Sequence, residues 1–351
     1  MPLREGARRA HDRGACECGG ATYARCSRPA AHSSRLAPEV LAAACNFSRN
    51  AAVARSIRTS AGETLHFFTV DVEEYFQVSA FDRTISREQW PALPSRLEAS
   101  VELLLELLAR HEVTGTFFTL GWVAERLPHV VRAIVDAGHE IASHGYWHHR
   151  VPTLTPAQFR ADVRASKSAL EDLTGQGVIG YRAPSFSIVA GAEWALDVLI
   201  EEGFVYDSSL FPVRRPGYGY PRAGRDPHIL QRVAGVLCEF PPATLDVAGV
   251  RVPAAGGGYL RHFPFGVVRR AFLDATNRGV PATFYVHPWE VDPEQPRLRT
   301  SRLTALRHYR GLKQTAARIE RLLGEFTFGS IGRSLAQRVE SGRTAVTAGH
   351  Q

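Results

Sequence analysis

The chain has 351 residues, 44% of them hydrophobic, and a formal charge of +7. That is ample apolar material for a full core. Ten Arg against four Asp or Glu in residues 1–62 put about six of the seven charges in one terminal segment, which excludes the basic body face that nucleic-acid binding requires.

The first 62 residues are rich in Ala, Arg, Ser and Gly and show no sustained period. They read as a disordered basic tail, with one short helix at Pro38–Ala44. Cys16, Cys18, Cys26 and Cys45 lie here, at gaps too irregular for a structural zinc site; only Cys238 lies further on. No run of apolar residues is long enough for a membrane span, and no secretion-signal pattern is found. The expectation is a cytoplasmic protein whose tail offers peripheral contact with a membrane surface.

A body over 63–325 follows. LHFFTV reads as a buried strand that runs into Asp71, Glu73 and Glu74. Ser95 and Glu98 suggest a capping box for a helix whose Leu97, Val101, Leu104, Leu105 and Leu108 recur at helical spacing. TFFTL is a second strand, and Val123–Asp136 a helix ended by Gly138. His139–Ser143 is a strand; Thr155, Pro156 and Gln158 open the next helix with a capping box. Val178–Arg182 (strand), Ala192–Glu202 (helix) and Phe204–Tyr206 (strand) continue the alternation. The rhythm predicts a parallel α/β core. A Pro-, Gly- and Arg-rich stretch, 212–264, reads as a loop-and-hairpin insertion, with strands at Val236–Phe240 and Leu245–Val252 and a flexible GGGYL loop at 256–260. Val267–Asn277 is a helix, PATFYV a last strand before His287, and two helices follow at Leu303–Tyr309 and Leu312–Leu323. Residues 326–351 read as a partly disordered extension.

The reactive residues gather at strand ends: Asp71 and Glu73 after the first, His144 and His148 after the third, then Arg182, Asp207 and His287. In parallel α/β folds, that edge is where sites assemble. His144 and His148, four apart in SHGYWHH, bring two imidazoles to one side if the segment turns helically, and with a carboxylate they suit zinc or a similar divalent ion. His149, adjacent, points elsewhere. Asp71 and Glu73 alternate off an extended segment and face one side. One can ligate a metal while the other acts as base, with the metal and Arg182 countering their repulsion. His287, in FYVHPW, suits a general acid. Asp207 either fixes the tautomer of His287 or caps the turn at Ser208 and Ser209. Tyr75, Phe76, Trp147, Phe186, Tyr259 and Trp289 are candidate walls of a substrate groove, with Tyr146 beside them.

Taken in order, TVDVEEYF, SHGYWHH, YRAPSF, YDSS and YVHP resemble the polysaccharide deacetylases of carbohydrate esterase family 4, which share the nodulation-protein deacetylase domain. More narrowly, they are similar to bacterial deacetylases of exopolysaccharide and exosortase systems. The resemblance covers Leu65–Leu323. It implies a distorted, seven-stranded (β/α) barrel that removes N-acetyl groups from amino sugars of a polysaccharide or of its lipid-linked precursor, with a divalent metal, zinc by expectation. It carries over Asp71 as general base, His144 and His148 as ligands, Arg182 as partner of the base and His287 as general acid. The backbone N–H near Ser185 would hold the oxyanion. Two departures stand out. Val72 occupies the usual second-aspartate place, which passes the carboxylate ligand to Glu73; Ser185 stands where many relatives carry Tyr. The other readings are a small-molecule amide hydrolase of allantoinase-like type and an inactive carbohydrate-binding protein.

Overall fold

The computed structural model describes residues 62–337 except 216. The tail with its four cysteines, the helix expected at Pro38–Ala44 and residues 338–351 lie outside the described residues. Strand β1 (His66–Val72) is followed by α1 (Leu97–Arg110), β2 (Thr116–Thr119), α2 (Gly121–Arg126), α3 (Pro128–Asp136) and β3 (Glu140–Ser143). Next come α4 (Pro156–Thr174), β4 (Gly180–Tyr181), α5 (Trp194–Glu201) and β5 (Tyr206–Asp207). Two hairpins, β6–β7 (His228–Arg232, Gly235–Glu239) and β8–β9 (Thr244–Val247, Val250–Pro253), precede α6 (Gly257–His262) and α7 (Phe265–Arg278). The last elements are β10 (Thr283–Val286), α8 (Arg302–Tyr309), α9 (Leu312–Glu325) and β11 (Phe328–Gly329).

Seven strands pair in parallel in the order β10-β1-β2-β3-β4-β5-β7, as an α/β barrel-like fold requires; β6 lies antiparallel against β7, and β11 pairs with the start of β1. Past β7 and β9, the chain meets β10 through single bridges, Pro242 to Thr283 and Gly256 to Tyr285, so this seam is irregular.

Side-chain alternation divides the core. Phe68, Val70 and Val72 of β1 join Phe117, Ile141, Tyr181 and Leu237 in the large cluster under the helices. Phe67 faces the other way, with Phe118, Ala142, Tyr206, Cys238 and Phe240. Asp71 shares the inner parity of Phe67. The strand's period therefore carries an apolar floor and, two steps on, the first acid of the site. Ile331 and Leu335 pack into the same inner cluster, so chain beyond 325 is built into the body.

Several local expectations are corrected. The helix expected at Val123–Asp136 is two helices, because Pro128 sits at the first position of α3 and cannot continue α2. Ser95 forms no capping box: α1 starts at Leu97 without a side-chain cap, and the Ser95 hydroxyl donates to the buried carboxylate of Glu74. Leu105 is only half-buried, and Leu107 completes the buried stripe. The strand expected at Leu245–Val252 folds back at Ala248–Gly249, both with positive φ, to make a hairpin. GGGYL is no flexible loop. Its residues open α6, where a Cβ on Gly256 would collide with the Tyr285 ring and one on Gly257 with the Glu290 carboxylate.

The cap of α4 forms as the sequence predicts. Thr155 Oγ1 accepts from Gln158 N–H at 3.3 Å, and Gln158 Oε1 accepts from Thr155 N–H at 2.9 Å. Thr155→Ala should destabilise the protein by about 1 kcal/mol. Urea unfolding followed by circular dichroism checks this; an unchanged midpoint would mean the cap contributes nothing.

Candidate active site

The site stands on a buried ion pair. Arg182, just past β4, is wholly buried, and its Nη1 lies 2.6 Å from Asp71 Oδ1. Three further donors are used as well: Nη1 to Thr69 Oγ1 at 2.7 Å, Nη2 to Ser208 Oγ at 2.7 Å, and Nε to the Ser208 carbonyl at 3.1 Å. The guanidinium lies 4.0 Å over the Phe118 ring. A charge this deep tolerates burial only when paired and hydrogen-bonded, and removing its partner costs about 3–5 kcal/mol.

Above this pair, Glu73, His144 and His148 converge, all buried, with ligand atoms within 4.8 Å of one another. Val72 points into the outer core, so its place between two acids is a packing position. The two histidines do not meet through a helical turn. They sit on an irregular loop after β3, where Gly145 has φ 76° and His148 φ 54°. Asp162 of α4 holds this loop by accepting from the N–H groups of Tyr146 (2.9 Å) and Trp147 (3.2 Å). Arg87 donates to the Trp147 and His148 carbonyls.

His144 Nδ1 lies 2.8 Å from the Arg182 carbonyl. A carbonyl only accepts, so Nδ1 carries the proton and Nε2 keeps its lone pair for a cation. Burial lowers the His144 pKa to about 4, favouring the neutral, ligating form. Glu73 Oε2 and His148 Nε2 are 2.6 Å apart, yet Glu73 Oε2 and His148 Nδ1 have no hydrogen-bond partner among the described residues. A buried carboxylate oxygen without a donor, facing two imidazoles, fits a divalent cation of the zinc type. Burial alone would raise the Glu73 carboxyl, but His148 and His287 hold it down at about 2.

His287 follows β10, with its Nε2 3.8 Å from both Asp71 Oδ2 and Glu73 Oε1. Its Nδ1 donates to Glu290 Oε2 at 2.9 Å, and its backbone N–H reaches the same oxygen at 3.1 Å. Glu290 is held in turn by Arg261 Nε at 3.0 Å, both side chains buried. Burial opposes protonation of His287, but Glu73, Glu290 and Asp71 raise its pKa to about 9. Asp207 is therefore not the partner of His287. It accepts from the N–H (3.2 Å) and hydroxyl (2.5 Å) of Ser209, capping that turn. Glu290 was missed in the sequence although HPWE places a carboxylate three residues after the histidine, as a capping box does. Arg261, 29 residues away, gives no local signal.

The expected groove walls separate. Trp147 is 39% exposed. Trp289 is buried, stacked between His287 (5.2 Å) and His308 (4.3 Å), and its Nε1 donates to Glu73 Oε1 at 3.1 Å, so it braces the carboxylate. Tyr75 and Phe76 are buried in the outer core and wall nothing. Phe186 packs on Phe211 and Tyr285. Tyr259 bonds Tyr218 through the hydroxyls at 2.7 Å. The Tyr146 hydroxyl is engaged by Glu125 on α2. Ser185 and Phe186 both adopt positive φ, 55° and 50°, and Ser185 Oγ bonds Ser79 Oγ at 2.7 Å. Two successive left-handed non-glycine residues beside Arg182 are a local strain of the kind found at functional sites.

The family model for polysaccharide deacetylase matches residues 89–196, and that for a domain of unknown function (DUF3473) matches residues 208–336. The chain is similar to a peptidoglycan deacetylase of Helicobacter pylori, 34% identical over 115 residues, which is 32% of this chain and 38% of that protein. It is similar to a peptidoglycan-N-acetylglucosamine deacetylase of Bacillus cereus, 30% identical over 95 residues, 27% of this chain and 34% of the other. The chain thus spans about a third of the length of the curated relatives it matches. A solved structure from Mycobacterium smegmatis, assigned as a polysaccharide deacetylase, shares the fold with TM-score 0.51 and 24% identity, over 81% of this chain and 93% of the other.

Beneath Arg182 lies a second acid pair. Burial raises the Glu239 carboxyl well above its ordinary range, with the facing Asp207 adding to the effect, and burial raises Asp207 to about 6. Glu239 Oε1 accepts from Leu210 N–H at 3.0 Å, and its buried Oε2 has no hydrogen-bond partner among the described residues. Both folded pKa values are raised, so the folded chain holds protons that the unfolded chain releases. The pair's contribution is complete below about pH 4 and is lost as pH rises through the folded values. Glu239→Gln keeps a donor toward Asp207 but removes this titration. Its urea midpoint should therefore fall less than that of wild type between pH 5 and 8. Parallel curves for the two proteins would rule out the raised Glu239 titration.

Proposed function

We propose that the chain is a hydrolase of the polysaccharide deacetylase type, removing an N-acetyl group from an amino sugar of a polysaccharide or of its lipid-linked precursor; the deacetylase match over residues 89–196 supports this reading. The observation that carries this reading is the meeting of a paired carboxylate, a carboxylate with two imidazoles, and a histidine held by its own carboxylate at one strand edge. Deacetylase relatives named for peptidoglycan and for chitooligosaccharide support an amino-sugar substrate.

Glu73, His144 and His148 would hold the divalent ion. Such an ion polarises an acyl carbonyl and acidifies water, lowering the charge cost of attack. The rest of the chemistry belongs to this chain's side chains. Asp71, anchored by Arg182 through Oδ1, takes the proton of the attacking water through Oδ2, the oxygen not used by the guanidinium. The Ser185 backbone N–H is the donor for the developing oxyanion, the Phe186 N–H being bonded to the Ala183 carbonyl; one such donor is worth roughly 3 kcal/mol. His287 delivers its Nε2 proton to the leaving nitrogen. Glu290 fixes Nδ1–H and stabilises the imidazolium, and Arg261 keeps Glu290 ionised and in place. The products are acetate and a free amine.

Acetate release from acetylated chitooligosaccharides and peptidoglycan fragments tests the assignment. Asp71→Asn and His287→Ala should each lower kcat by about two to four orders of magnitude. A chelator should abolish turnover, and zinc should restore it. Full activity in both variants would refute the site. For Glu290→Gln, kcat should fall on the order of tenfold with KM nearly unchanged, and the alkaline limb of the pH–rate profile should move to lower pH as the imidazolium loses its counter-charge. An unshifted profile would reduce Glu290 to a structural residue.

A further inference from the structure

We propose that the outward face of α8, with the segments on either side of it, is a docking surface for an anionic lipid bilayer. Residues 295–319 contain seven Lys or Arg and no Asp or Glu. Arg297, Arg299, Arg302, Arg307, Arg310 and Lys313 are all exposed, and none of them pairs with a carboxylate of the described residues. Among these cations stand two leucines with no packing role: Leu303 and Leu306 are each 56% exposed, one turn apart. With Arg302 and Arg307 they make up the solvent side of α8, while His308 is buried and Thr304 and Ala305 are half-buried.

The mixture selects the partner. A soluble polyanion would satisfy the arginines but leave the leucines in water. A bilayer with anionic headgroups satisfies both: guanidinium groups meet lipid phosphates while leucines enter the acyl boundary. The helix is short, so the cations on both sides of it are needed to hold it at the surface.

The same helix is fastened to the candidate active site. His308 stacks on Trp289, which donates to Glu73. Arg261 Nη1 donates to the carbonyls of His308 (2.7 Å) and Arg310 (2.8 Å), while its Nε holds Glu290. Docking through α8 would therefore present the site to glycans carried at the membrane surface. The surface itself is argued from α8 and does not depend on the hydrolytic reading.

The test is co-sedimentation of the full chain with phosphatidylglycerol–phosphatidylcholine vesicles, against pure phosphatidylcholine. Wild type should bind the anionic vesicles, and salt should weaken binding. Arg302→Gln/Arg307→Gln should lose about thirtyfold in affinity, and Leu303→Ser/Leu306→Ser about tenfold. Loss in both pairs supports the proposal. Unchanged binding in either pair overturns it, since residues 1–62 would then be the membrane-binding segment, as does absence of binding by wild type. Binding to soluble polygalacturonate that needs the arginines, without vesicle binding, would identify a polyanionic glycan instead. Asp71→Asn should bind vesicles as wild type does, so failure of the hydrolytic reading and failure of this one are distinguishable.

Discussion

Everything in the site hangs from the buried contact between Arg182 and Asp71. A guanidinium inside a strand-lined interior is a liability in stability, since desolvating it costs more than most single pairs return. Here the cost is met by four acceptors and an aromatic face. What the pair secures is a carboxylate that faces the reaction zone with one oxygen and is immobilised by the other. The layers follow from that arrangement: an apolar floor of Phe67, Phe118 and Cys238, the ion pair, then Glu73 with the two histidines at the mouth. The Asp207–Glu239 pair adds two more buried acids near the same arginine, and burial raises both carboxyls, which limits the negative charge held around a single cation.

The site is assembled from three separate stretches of chain. The deacetylase-matching stretch, 89–196, supplies His144, His148 and Arg182. The stretch matching a domain of unknown function, 208–336, supplies His287, Glu290 and Arg261. Asp71 and Glu73 lie before both, on β1. Neither matched stretch contains a complete constellation. The second is no appendage either: β7 and β10 are members of the parallel row, and Ile331 and Leu335 enter its inner core.

Much of this was legible in the sequence because strands end where chemistry begins. Period-two alternation in β1 already told that Asp71 and Glu73 share a side and that Val72 does not. Capping chemistry located α4, and the apolar run TFYV located His287. Legibility stopped where a residue's partner is distant or where two local signals compete. Ser95 and Glu98 look like a capping box, but the buried Glu74 carboxylate competes for the serine and wins. The four-residue spacing of His144 and His148 suggested a helical turn; the chain reaches the same convergence through positive φ at Gly145 and His148, which spacing alone does not reveal. Tyr75 and Phe76 looked like groove walls because aromatic residues suit sugars, yet their place after β1 buries them, Phe76 packing against Tyr75, Trp90 and Trp122.

Glu290 shows how the second half adapts the first. The general-acid role proposed for His287 calls for a carboxylate behind the ring, and Asp207, at a strand end, was the natural candidate. Once both Asp207 oxygens are committed to Ser209, that carboxylate must come from elsewhere, and the turn after β10 provides it within three residues. Glu290 then needs a cation of its own, because burial would otherwise neutralise it; Arg261 and His287 together hold its pKa at about 2. Arg261 reaches Glu290 only because α6 packs directly on it, and α6 packs there only because Gly257 lacks a side chain. A glycine run that resembles a flexible loop is thus a condition for the charge state of the histidine two contacts away.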